Sequence, residues 1–136
     1  MLVEDNPADV TLLSEALASQ DVETALFVVH DGDEGIQIIN AIDEARISCP
    51  DLIVLDLNLP RRSGFEVLER VRSSRQCSRR PVVVFSSSDA AEDRERARRL
   101  GASYYLRKPS TLKDLMSIGE ELKKILASRG LDPAGC

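Results

Sequence analysis

The chain has 136 residues, 43% hydrophobic and 30% charged, which suits one domain with a core of its own. A net charge of −5 argues against nucleic-acid binding as the main task. No apolar run approaches the roughly 18 residues of a membrane span, and no signal peptide precedes the first apolar run, so a cytoplasmic location without membrane contact is expected.

Strand and helix patterns alternate along the chain. Met1-Leu2-Val3 is a short apolar run ending in Glu4-Asp5, the tail of a buried strand. It falls short of the roughly 5–6 residues of a typical strand, as if strand residues stood upstream. Asn6-Pro7 starts a helix, with Pro where its missing N–H costs nothing, and Val10, Leu13 and Leu17 follow at helical spacing. Leu26-Phe27-Val28-Val29 forms a second strand, which Asp31-Gly32-Asp33 breaks. Ile36, Ile39 and Ile42 place a second helix over 34–45.

Leu52-Ile53-Val54-Leu55 is continuously apolar and stops at Asp56; such continuity marks a strand covered on both faces. A loop over 57–63 contains Pro60 and closes at Gly64, and Phe65, Val67, Leu68 and Val71 mark a third helix. Pro81 to Phe85 is a fourth strand, ending in Ser86-Ser87-Ser88. A charged helix over 91–100 ends at Gly101, Tyr104-Tyr105-Leu106 is a fifth strand followed by Arg107-Lys108-Pro109, and a last helix covers 111–128. Strict alternation of five strands and five helices implies a parallel sheet with helices on both faces. The domain is therefore expected over 1–128, with a tail over 129–136 and no output domain.

Cys49, Cys77 and Cys136 are odd in number and lack a CxxC or Cys/His spacing, so they read as reduced thiols. Arg79-Arg80 and the group Arg94, Arg96, Arg98 and Arg99 read first as solvated helix faces, with docking of an acidic partner as the functional alternative. His30 has no partner at metal-ligand spacing and reads as structural. The run 31–35 lacks the sixth-position glycine and terminal glutamate of a calcium loop.

In an open parallel sheet, ligands bind outside the carboxyl ends of the strands. There stand Glu4 and Asp5 after the first strand, Asp56 after the third, Ser86 at the fourth and Lys108 after the fifth. Three clustered carboxylates repel unless a cation sits among them, and a hard ion such as Mg²⁺ takes oxygen ligands and can also meet phosphate oxygens. The pattern reads as a phosphoryl-transfer site. Asp56 would be the nucleophile, Glu4 and Asp5 metal ligands, and Lys108 and Ser86 would meet the phosphoryl oxygens.

Glu4-Asp5-Asn6, Asp56, Ser86 and Lys108-Pro109, with the stretches LDLNLPRRSGFEVL and GASYYLRKP, resemble the signature of response-regulator receiver domains, CheY-like in type, over essentially the whole chain. NPADV, LDLNLP and STLKDL are most similar to the small single-domain regulators that partner phytochrome-type histidine kinases. The resemblance implies a flavodoxin-like sheet of order 2-1-3-4-5 and a phosphoryl group accepted from a histidine kinase on Asp56. It implies Mg²⁺ held by Glu4, Asp5, Asp56 and the backbone carbonyl of Asn58. It further implies Ser86 and Tyr105 as the moving pair, Lys108 as the phosphoryl-binding lysine and a cis Lys108–Pro109 bond.

Phosphorylation adds about −1.5 to −2 charges and three acceptor oxygens. Movement of Ser86 toward them would leave space for Tyr105 and alter the face of the fourth helix, fifth strand and fifth helix. That face would bind a downstream protein or a second copy. Phosphatases of the haloacid-dehalogenase type are the main rival reading. They need a carboxyl group two residues after the nucleophile, where this chain has Asn58. A phosphorylation-independent binding module is the second rival; the presence of both Asp56 and Lys108 speaks against it.

Overall fold

The strands form because their β-branched and aliphatic residues are buried on alternating sides of one sheet. The structure is a computed structural model that describes residues 1–22 and 24–130. In chain order its elements are β1 (Leu2–Val3), α1 (Pro7–Ser19), β2 (Val28–Val29), α2 (Gly32–Asp43), β3 (Ile53–Leu55), α3 (Gly64–Ser73), β4 (Val82–Ser86), α4 (Ala91–Arg99), β5 (Tyr104–Arg107) and α5 (Leu112–Gly130). All strand pairs are parallel, in the order β2-β1-β3-β4-β5. This is the expected flavodoxin-like arrangement.

Successive strand residues point to opposite faces. Val3, Ile53, Leu55 and Val82 meet Ile39 and Ile42 of α2 and Val67, Leu68 and Val71 of α3. Leu2, Val54, Val83 and Phe85 meet Leu13 and Leu17 of α1 and Ile118, Leu122 and Ile125 of α5. The central strands are buried on both sides, as the unbroken apolar runs require. Helix α4 is attached more thinly: Ala97 is its one buried residue, packed with Leu57, Phe65 and Val84.

Local capping chemistry sets the helix starts. Asn6 accepts the Ala8 N–H at 3.0 Å ahead of Pro7. Ser63 and Glu66 form a reciprocal capping box at α3. Helix α2 starts at Gly32 rather than at 34, because the Asp31 side chain accepts the Glu34 N–H at 2.8 Å and serves as the cap. Residues read as strand-breaking thus belong to the helix. The second strand shrinks to Val28–Val29, with Phe27 exposed.

Two further expectations are corrected. Cys49 and Cys77 are joined in a disulfide, with Cα atoms 5.8 Å apart, rather than being free thiols. They lie 28 positions apart, so no short spacing reveals the pair. They meet because each sits in the segment entering one of two adjacent parallel strands, β3 and β4, at the same sheet edge. Cys136 lies outside the described residues. The Lys108–Pro109 bond is trans, since no described peptide bond is cis; trans is the isomer that X–Pro bonds intrinsically prefer. Among the described residues, no helix is long and apolar enough to cross a membrane.

Asp43, at the end of α2, ties that helix to the end of α3. It accepts from the Ser74 hydroxyl at 2.6 Å, Arg70 Nη2 at 2.8 Å and the Gln76 N–H at 3.2 Å. The Ser74 hydroxyl and the Arg70 guanidinium are the chief causes that hold its carboxyl well below the usual carboxylate range. A depressed folded-state pKa gives stability that is present above the ordinary value of 3.8 and lost as pH falls below it. Asp43→Asn is therefore expected to lower the thermal midpoint by a few degrees at neutral pH. Melting curves over pH should show the gap to wild type close below that value; a gap independent of pH would contradict the assignment.

Candidate functional site

The parallel register aligns the carboxyl ends of the three central strands. Val3 pairs with Leu55, so the residues that follow, Glu4 and Asp56, emerge side by side. The Asp56 N–H donates to the Val3 carbonyl at 3.0 Å and the Lys108 N–H to the Ser86 carbonyl at 2.8 Å, carrying the alignment to the rim. Gly64 folds the loop after β3 back on itself, its N–H donating to the Leu57 carbonyl at 2.9 Å. A Cβ there would run into the Asp56 carbonyl, so only glycine permits this closure.

One carboxylate oxygen from each of Glu4, Asp5 and Asp56 lies within 4.8 Å of the others. Glu4 and Asp56 are buried and Asp5 is exposed. Lys108 faces this group: its Nζ is 2.8 Å from Glu4 Oε1, 3.1 Å from Asp56 Oδ2 and 2.7 Å from Asp9 Oδ2. The contact to Glu4 is an ion pair without hydrogen-bond alignment, which leaves Glu4 Oε1 buried with no hydrogen-bond partner. Burial pushes the Glu4 carboxyl up to about 7; Lys108 opposes that shift and Asp56 adds to it. Burial also disfavours the charge on Lys108. Its contacts with Asp9 and Glu4 and the charge of Asp56 outweigh that cost and hold the ammonium above its usual pKa.

Clustered carboxylate oxygens, one of them buried without a hydrogen bond and held only by the Lys108 ion pair, are the donor set of a hard divalent cation. The residues present fit such an ion. Asn58 lines the same cleft, and its N–H donates to Asp56 Oδ1 at 3.3 Å.

Ser86 stands at the end of β4 but is not drawn into the charged cluster. It is fully buried, and its Oγ accepts the Ser88 N–H at 3.2 Å, while Ser87 lines the cleft. Tyr105 is half-buried; its hydroxyl donates to the Ser88 carbonyl at 2.9 Å and its ring lies under the Arg94 guanidinium, 4.6 Å from the centroid. Ser88 therefore links the two residues expected to move together. The basic group on α4 is mostly neutralised where it stands: Arg94 pairs with Asp89, Arg98 and Arg99 pair with Glu95, and Arg96 stacks on Phe65 at 4.1 Å. This favours the solvated-face reading of those arginines.

The pattern of the response regulator receiver domain family matches residues 1–120 of the chain. The chain belongs to that family. Response regulator Rcp1 of Synechocystis sp. is 35% identical over 119 residues, covering 87% of this chain and 81% of the relative. The crystal structure of the phosphorylated cyanobacterial phytochrome response regulator RcpA is similar at a TM-score of 0.82 and 38% identity, covering 93% of this chain and 91% of that one. The Mn²⁺-bound form of Rcp1 is similar at 0.79 and 33% identity, over 90% and 89% of the two chains.

In this receiver, Asp9 is the site residue that sequence reading missed. It stands in the first turn of α1, where an acidic residue reads as complementing the helix dipole. The available signal was positional: that turn opens on the same rim as the strand ends. The acidic trio makes a direct prediction for metal binding. Asp5→Asn is expected to weaken Mg²⁺ binding about tenfold, read by calorimetric titration. Unchanged affinity would show that the trio does not form the ion's site.

Proposed function

We propose that this receiver accepts a phosphoryl group on Asp56 from a phosphohistidine of a histidine kinase and thereby switches a protein-binding face. The observation that carries the reading is the convergence of Asp56 with Glu4, Asp5 and Lys108 at one rim. A carboxylate oxygen of Asp56 attacks phosphorus, forming an acyl-phosphate P–O bond as the P–N bond breaks. The electron pair leaves on the imidazole nitrogen, and water later returns the phosphoryl group as phosphate. The domain would act only on its own phosphorylation state. Glu4, Asp5, Asp56 and the Asn58 carbonyl would hold a Mg²⁺ ion, which supplies neutralisation of the phosphoryl oxygens when bound.

Lys108 supplies a positive charge that is already fixed in position before the phosphoryl group arrives. Ser86 would leave its contact with Ser88 to donate to a phosphoryl oxygen. Because Ser88 also receives the Tyr105 hydroxyl, that departure loosens the tyrosine. The affected face carries apolar groups in water: Tyr104 is 46%, Leu112 73% and Met116 45% exposed. It would take a downstream protein or a second copy of the chain. Likeness to the phytochrome response regulator RcpA supports a phytochrome-type kinase as the donor.

Incubation with acetyl phosphate and Mg²⁺ is expected to add one phosphoryl group to the wild type, read by intact mass. Asp56→Asn, which keeps the shape and removes the nucleophile, should add none. Labelling of that variant to the wild-type extent would sink the proposal.

A further inference from the structure

Lys108 donates hydrogen bonds to Asp9 and Asp56, and its ammonium is also ion-paired with Glu4. A phosphoryl oxygen that reaches this ammonium competes with these carboxylates for it. Asp56 is the group being modified and stays in place. Glu4 is fully buried and meets Lys108 as an ion pair only, so it does not hold a hydrogen bond that a phosphoryl oxygen would take over. Asp9 differs from both. Its side chain is 15% exposed, lies in the open cleft and belongs to a surface helix turn, so it can swing into solvent at small cost. It also lies outside the acidic trio suited to a cation. At 2.7 Å it is nonetheless the nearest partner of Lys108, across 99 positions of sequence.

We infer that Asp9 is a positioning residue: it holds Lys108 in the resting state, competes with the phosphoryl group for the ammonium, and is released when that group arrives. This rests on the reading of Asp56 as phosphoacceptor. The contact then opposes phosphorylation twice over. It holds the ammonium in a hydrogen bond of its own, and it keeps a like charge near the arriving oxygens. A chain with this carboxylate binds its phosphoryl group less tightly than the same chain without it.

The test is a beryllium fluoride titration in the presence of Mg²⁺, followed by fluorine NMR, with Asp9→Asn and Asp9→Glu beside the wild type. Asp9→Asn keeps the shape and removes the charge, and should tighten beryllium fluoride binding about fivefold, the scale of a partly exposed ion pair. Asp9→Glu keeps a carboxylate within reach of Lys108 and should stay within about twofold of wild type. Mg²⁺ affinity measured without beryllium fluoride should not tighten in either variant.

Unchanged or weaker binding in Asp9→Asn, with normal saturation of the wild type, would overturn the inference. Equal tightening in both variants would assign the effect to disturbed helix packing and also overturn it. Tightening matched by Mg²⁺ alone would assign it to the metal, with the same consequence. Failure of the wild type to bind beryllium fluoride at all would instead remove the phosphoacceptor reading, and this inference with it.

Discussion

The site depends on one ammonium group set against carboxylates from three separate elements. Lys108 follows β5, Glu4 and Asp56 follow two adjacent central strands, and Asp9 belongs to α1. Burial drives the Glu4 carboxyl toward protonation, with Lys108 opposing the shift and Asp56 adding to it. The lysine makes the arrangement tolerable in the resting protein. It also leaves the cluster poised, because a divalent cation and a phosphoryl group could each take over part of what the ammonium now does.

The rest of the fold keeps that rim in register. Strand residues facing α2 and α3 alternate with residues facing α1 and α5, so a slip of one position would turn each strand's apolar set inside out. The strand ends are held by two layers of packing, whereas α4 is held by Ala97 and by an arginine stacked on Phe65. A rigid rim beside a lightly attached helix allows a local change of charge to become a change of surface. Ser88 is the joint between them, bonded at once to Ser86, Tyr105 and Asp93.

Much of this was legible in the residues themselves. Unbroken runs such as Leu52 to Leu55 announce doubly covered strands, and strict alternation with helices leaves few topologies. Glu4, Asp5, Asp56 and Lys108 could be named because each stands one or two residues after an apolar run, where a parallel sheet gathers its strand ends. Asp9 was hidden because an acid in a first helical turn already has a sufficient local explanation. The Cys49–Cys77 link was hidden because it depends on which strands are neighbours, not on spacing along the chain. The engagement of Ser86 with Ser88 was likewise out of reach, since three consecutive serines offer no pattern to separate them. The start of α2 was misplaced because Asp31-Gly32-Asp33 reads equally as a turn and as a cap with a first helical turn.

The central claim is that the ammonium of Lys108 carries the resting cluster and that a divalent cation can stand in for it. Thermal and chemical unfolding of Lys108→Met, with chelator and then with saturating Mg²⁺, tests this most directly. The account predicts a loss of roughly 3 kcal/mol in chelator, the scale of a buried charge stripped of its partner, and recovery of most of it on adding Mg²⁺. A variant as stable as wild type in chelator, or one that Mg²⁺ leaves unchanged, would contradict it.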